Sequence, residues 1–165
     1  MFHTFECGAW YSAVHTDTDT SEWCLSLNKK NLIQEVQVGG HNCWFMYGPV
    51  FMSAQWLEQY LPVLEAYYHL PGTEPFYWEH VYMELLDGTA VKRLADAGIQ
   101  EVNCIPINKL GPHLFDMYAN PQSDTNVYEF ENLEELRLFD SRYQTRSDNQ
   151  AMELIAQVFQ IPESD

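Results

Sequence analysis

A mixed α/β fold, with antiparallel hairpins in a mixed sheet flanked by helices, is what the order of apolar patterns along this chain implies. The first third runs in short β-branched and aromatic stretches. The middle repeats apolar residues every three or four positions, and the last third returns to strand patterns before two helical runs. The 165 residues are 46% apolar and 15% aromatic, too apolar for disorder, and their number suits one domain over residues 1–165. No repeat, linker or low-complexity tract divides them.

Residues 9–15, 23–27, 33–38 and 43–52 read as four strands, separated by polar or glycine-bearing breaks at 16–22, 28–31 and 39–42. Asn28-Lys29-Lys30-Asn31 is short enough for a tight hairpin, because Asn tolerates the left-handed conformation. Ser53 is a candidate N-cap for an amphipathic helix bearing Trp56, Leu57, Tyr60, Leu61, Leu64, Tyr67 and Tyr68. Pro62 lies inside it and Pro71-Gly72 ends it. Thr73 is a candidate cap for a second helix through Phe76, Tyr77, Trp78, Val81, Tyr82 and Leu85, and Thr89 for a third that stops at Gly98. Residues 99–107 read as extended, and strands over 114–119 and 126–130 as a hairpin. Asn132 with Glu135 makes a capping-box-like start for a helix carrying Leu133, Leu136 and Phe139, and residues 148–160 read as a final helix.

The charge excludes several roles. With 24 acidic against 8 basic residues the net charge is −16, and no basic run exceeds Lys29-Lys30 or Lys92-Arg93. Such a chain lacks the cations that release counterions from nucleic acid or hold an anionic membrane surface. No stretch approaches the roughly 20 apolar residues of a membrane span. The N-terminus has no secretory pattern, so a cytoplasmic location is expected. Cys7, Cys24, Cys43 and Cys104 form no C-x-x-C pair and read as buried free thiols.

Three clusters could carry chemistry. Tyr77-Trp78-Glu79, with His80 beside them, sets aromatic rings next to a carboxylate, the combination that recognises a quaternary ammonium group; packing of these rings in the core is the alternative. Glu129 and Glu131 fall on one strand face, opposite Phe130, and could hold Mg²⁺. They could equally be a solvated strand face, or Glu131 could serve the first turn of the following helix. Gly39-Gly40-His41-Asn42 followed by Tyr47-Gly48-Pro49 suits either close backbone approach to a ligand or plain turn chemistry. No histidine pair has metalloprotease spacing and no Gly-x-Ser-x-Gly elbow exists, so Ser-His-Asp hydrolysis is not supported.

Read in order, Trp23-Cys24-Leu25, the strand over 33–40, Met46-Tyr47-Gly48-Pro49-Val50-Phe51-Met52-Ser53, Pro71-Gly72-Thr73-Glu74 with Phe76-Tyr77-Trp78-Glu79, and the run from Val127 through Tyr128-Glu129-Phe130-Glu131-Asn132-Leu133-Glu134-Glu135-Leu136 to Asp140 form a pattern. It resembles the C-terminal half of the sugar-phosphate and choline-phosphate nucleotidyltransferases over about residues 7–145. The resemblance implies a Rossmann-like nucleotidyltransferase scaffold. Family members transfer a nucleoside monophosphate from CTP or another NTP onto phosphocholine or a sugar phosphate. It places the acceptor-facing positions on Trp23, Tyr77 and Glu79, beside Trp78, and an Mg²⁺-binding position among Glu129 and Glu131. The family's Gly-rich, Arg-containing phosphate loop, its following Lys and its Asp-x-Asp pair have no counterpart here, so the chain is expected to be an acceptor-binding half, inactive alone. Its expected partners are a phosphorylated acceptor and either a second copy or a missing N-terminal half. A non-catalytic small-molecule binding module, or a structural or interaction protein with an acidic soluble surface, are the alternatives. The stretch 89–111 is longer than the family pattern requires and is expected to add a βα element at one edge.

Overall fold

The computed structural model describes residues 8–123, 128, 130 and 132–143. It falls into two compact units, Met1–Val127 and Tyr128–Asp165.

In the first unit two long strands, β1 (Ala9–Leu27) and β2 (Ile33–Met52), pair antiparallel. The turn between them forms as the asparagines imply: Asn28 Oδ1 accepts from the backbone of Lys30 and Leu32, and Asn31 takes φ 62°. The four expected strands are therefore two. The polar break at 16–22 is an exposed stretch of β1, where register shifts between Thr16 and Asp19 and between Thr20 and Trp23 absorb the extra residues. A backbone ladder needs no apolar side chain to continue, so composition reads a loop where pairing persists. The break at 39–42 is likewise inside β2. The ribbon coils enough for Cys24 and Leu25 to pair a second time, with Phe45 and Trp44.

A third strand, β5 (Tyr118–Pro121), runs parallel to β1, giving the order β2-β1-β5 and a mixed sheet. Its other side meets the start of β2, where Ile33 N donates to Met117 O and Ala119 N to Asn31 O. Of the residues expected in that strand, Leu114 belongs instead to a 3₁₀ turn, Pro112–Leu114, which Pro112 initiates. The stretch 99–107 holds only a small hairpin, β3 (Glu101–Val102) with β4 (Ile105–Pro106), turning through Asn103 and Cys104 at φ 50° and 62°.

Helices pack on the sheet. α1 (Ala54–Tyr68) starts at Ser53, whose hydroxyl accepts from Trp56 N, and it runs on through Pro62, burying Trp56, Tyr60, Val63 and Tyr67. α2 (Trp78–Asp87) buries Val81, Tyr82 and Leu85, and α3 (Thr89–Asp96) buries Ala90 and Leu94. Thr73 does not start α2. It closes α1, its buried hydroxyl lying 2.6 Å from Tyr67 O and 2.9 Å from Leu70 O, carbonyls at the helix end that also accept from the backbone of Leu70 and Thr73. Nor does Thr89 cap α3. Gly88, at φ 83°, joins α2 to α3 in a left-handed conformation that a side chain would strain. The core lies between sheet and helices, with Ala9, Ala13, Ile33 and Val36 meeting Tyr60, Tyr82, Leu85, Leu94, Phe115 and Met117.

In the second unit, α4 (Leu133–Phe139) is capped as its sequence implies, Asn132 Oδ1 accepting from Glu135 N and its amide donating to Glu135 Oε1. The Phe139 ring sits 4.5 Å from Tyr128 and 5.1 Å from Phe130. The final helix expected at 148–160 lies outside the described residues. No described helix is long and apolar enough to cross a membrane.

Candidate functional site

The start of α2 is fixed from three sides. Tyr60, fully buried on α1, donates its hydroxyl to Trp78 O at 2.7 Å. Burial and nearby acidic groups push that phenol well above its usual pKa, so it remains a donor. His80 folds back to accept the Tyr77 backbone N–H at Nδ1, 3.0 Å away. With Nδ1 occupied, the proton of the neutral ring belongs on Nε2. The Phe76 ring stacks on His80 at 5.0 Å, and Trp23 of β1 meets the same imidazole edge-on at 4.7 Å.

On this framework Glu79 points toward β1. Tyr11 donates to Glu79 Oε1 in a long hydrogen bond of 3.4 Å, and the Tyr11 ring stacks on Trp78 at 5.9 Å. Half-burial raises the Glu79 carboxyl above its ordinary range, and the backbone, Tyr11 and His80 only partly counter it. No lysine or arginine among the described residues pairs with Glu79. It is a half-buried carboxyl beside aromatic rings.

Trp78 also lines a second face. A groove of about 610 Å³ opens between the end of α1 and the start of α2, walled by Tyr67, Tyr68, Phe76, Tyr77 and Trp78, with Glu74 at its rim. Tyr77 is 69% exposed there. Behind the groove Arg93 grips Glu84 bidentately, with nitrogen to oxygen distances of 2.8 and 2.6 Å. Tyr67 donates to Glu84 at 2.7 Å, and the guanidinium lies 5.4 Å from the Phe76 ring centre.

The structure thus gathers Trp23, Trp78 and Glu79 around His80 and Tyr11, while Tyr77 turns to the groove with its ring 5.7 Å from His80. Trp78 is part of the packing and part of the site at once, touching Tyr11 and Tyr60. Tyr11 was not signalled by the sequence. It stands 68 positions from Glu79, and only the pairing of sheet and helix joins them. Glu129 and Glu131 lie outside the described residues. Among the described residues no group of three or more His, Cys, Asp and Glu side chains could hold a metal ion. The glycine-rich stretch belongs to β2, with Gly39 at φ 77° and His41 Nδ1 paired to Asp19 Oδ1 across the ribbon at 2.9 Å, which is ribbon geometry.

No protein-family model matches the chain, and no curated protein matches it. A solved structure does: the CTP:phosphocholine cytidylyltransferase of Streptococcus pneumoniae, with a TM-score of 0.59 and 16% identity. The match covers 86% of this chain and 50% of that enzyme's chain, so the present sequence spans about half its length. The fold is nucleotidyltransferase-like. At this identity the likeness carries the fold and nothing finer.

Proposed function

We propose that this chain is the acceptor-binding part of a nucleotidyltransferase and that its ligand is a phosphorylated amino-alcohol of the phosphocholine type. The observation that supports this reading is Glu79: half-buried, raised in pKa by that burial, hydrogen-bonded to Tyr11 and flanked by Trp78, with no lysine or arginine paired to it among the described residues. A quaternary ammonium group supplies the missing positive charge and meets the rings by cation–π attraction. It also needs no hydrogen-bond acceptor, which suits walls made of rings. A sugar phosphate brings hydroxyls but no cation and leaves Glu79 uncompensated.

Phosphoryl chemistry in such enzymes depends on positioning and charge neutralisation more than on a strong base. This chain's share is the positioning of the acceptor. A nucleotide-gripping half, in the same or another chain, completes the reaction under this proposal, and eight basic residues offer little purchase on a triphosphate. Mg²⁺ at Glu129 and Glu131, and assembly with a second copy, remain parts of the proposal that rest on the sequence resemblance.

The test is thermal stability with phosphocholine, phosphoethanolamine, glucose 1-phosphate and CTP, each with and without Mg²⁺, since a ligand bound to the native state raises the melting temperature. A shift with phosphocholine, absent in Glu79→Gln and unchanged in Glu74→Gln, is expected. Trp78→Ala removes the ring beside Glu79 and should weaken phosphocholine binding about 5- to 30-fold, the equivalent of about 1–2 kcal/mol, whereas Tyr77→Ala, on the groove side, should change it little. If glucose 1-phosphate shifts the protein and phosphocholine does not, the amino-alcohol reading fails. If Glu129→Gln/Glu131→Gln responds to Mg²⁺ like the parent, those residues do not hold the metal.

A further inference from the structure

The sequence reads all four cysteines as buried free thiols, and the structure divides them. Cys104 is exposed, in the turn between β3 and β4, and Cys7 lies outside the described residues. Cys24 on β1 and Cys43 on β2 are free thiols whose sulfurs lie 2.6 Å apart. They meet because the ribbon coils back on itself: Cys24 pairs with Phe45, and Cys43, two residues along the same strand, shares that face. About half an ångström separates this distance from a covalent sulfur–sulfur bond of about 2.05 Å.

A third residue makes room for the encounter. A Cβ placed on Gly40 would stand 2.7 Å from Cys24 Sγ and 3.1 Å from Cys43 Sγ. Gly40 is not among the positive-φ glycines, so what this position uses is the missing side chain and not an unusual backbone. The space beside the two sulfurs is therefore set by the sequence at a third point.

We propose that Cys24 and Cys43 form a reversible disulfide that responds to the thiol–disulfide balance around the protein. With a small-molecule disulfide such as oxidised glutathione as the oxidant, the thiolate of the less buried Cys43 attacks one glutathione sulfur. The first glutathione leaves as its thiolate and a mixed disulfide remains. Cys24 gives up its proton and attacks the Cys43 sulfur, the Cys24–Cys43 bond forms, and the second glutathione departs. Two protein thiols are oxidised and one disulfide is reduced to two thiols. Burial and the neighbouring Cys43 push the Cys24 thiol of the reduced protein up to about 12, which leaves Cys43 to attack first. The bond would tie β1 to β2 across the ribbon immediately after Trp23, whose ring rests against His80.

The experiment equilibrates the full chain in a series of oxidised to reduced glutathione ratios, alkylates free thiols under denaturing conditions, and maps peptides by mass without reduction. A linked pair of peptides containing Cys24 and Cys43, lighter by two hydrogens than the two thiol peptides and restored by reductant, is the expected result. It should persist in Cys7→Ser/Cys104→Ser and vanish in Cys43→Ser. The oxidised protein should melt at a higher temperature than the reduced one, independently of protein concentration. Gly40→Ala should lower the yield of the bond at a fixed ratio, read from the same peptide map. Full alkylation of both Cys24 and Cys43 at the most oxidising ratio, in a protein that melts cooperatively, overturns the proposal. So does a linkage that runs through Cys7 or Cys104 instead.

Discussion

Glu79 carries a cost that the fold does not recover by itself. Its native pKa is raised chiefly by burial, so the folded protein holds the proton over a range in which the unfolded chain has lost it. The contribution is fully present below the unfolded carboxyl pKa, about 4.3, and is lost as pH rises through the native value. Above the unfolded value the carboxyl thus works against folding. Glu79→Gln should melt higher than the parent at pH 7 and lose less stability as pH rises through the carboxylate range, while giving up the phosphocholine response. Melting curves of both proteins across pH check this. A Gln variant less stable at pH 7 would mean that the Tyr11 bond to the carboxylate outweighs its desolvation. Such opposition between stability and binding was half legible in the sequence. Trp78 and Glu79 stand side by side and announce an aromatic–acidic pair, but burial of the carboxyl depends on Tyr11 and β1, which no local pattern connects to α2.

The three helices of the first unit are joined by polar side chains at one point. Glu84 of α2 takes two bonds from Arg93 of α3 and one from Tyr67 of α1, with Glu84 and Arg93 only 15% and 32% exposed. Arg93→Ala should cost about 1.5–3 kcal/mol, the range for hydrogen bonds to a charged group, and Tyr67→Phe about 1 kcal/mol. Their double variant should cost less than the sum, because both act through one carboxylate. Chemical denaturation of the four proteins measures the coupling. Strict additivity would show that the tyrosine and the arginine act independently. Elements were legible where a local signal sets them: Ser53 and Asn132 at helix starts, Asn28 to Asn31 at the hairpin. They were misread where the ladder overrides composition, as in the Thr- and Asp-rich middle of β1, and where a cap serves the preceding helix, as Thr73 does. Thr73 follows Pro71-Gly72 and precedes Glu74-Pro75, so either direction satisfies the sequence rule, and only the position of the Tyr67 and Leu70 carbonyls decides.

Across the whole chain 24 acidic residues face 8 basic ones, and two electrostatic effects of opposite sign meet in its stability. Repulsion among sixteen uncompensated negative charges acts over the molecule and is screened by salt, the Debye length falling from about 10 Å at 0.1 M to about 3 Å at 1 M. The local pairs pull the other way. Lys92 with Asp96 and Arg142 with Asp140 each include a well-exposed cation and are worth little, whereas Arg93 with Glu84 is sheltered and loses little to screening. Among the described residues few attractive pairs are thus available for salt to weaken, and the repulsive sum of the chain is large. Raising NaCl from about 0.05 to 0.5 M should therefore raise the melting temperature at pH 7. At pH 4, where many carboxyls take up protons, the same salt step should do much less. A melting temperature that falls with salt at pH 7 would show that compact acidic pairs, not net charge, dominate. The same excess of negative charge acts on the two ends of the proposed ligand with opposite sign: it favours the trimethylammonium group near Glu79 and opposes the phosphate, and it repels a nucleoside triphosphate. Salt should accordingly weaken the binding of choline, which has no phosphate, while it strengthens the fold, and choline titrations at two ionic strengths separate the two effects.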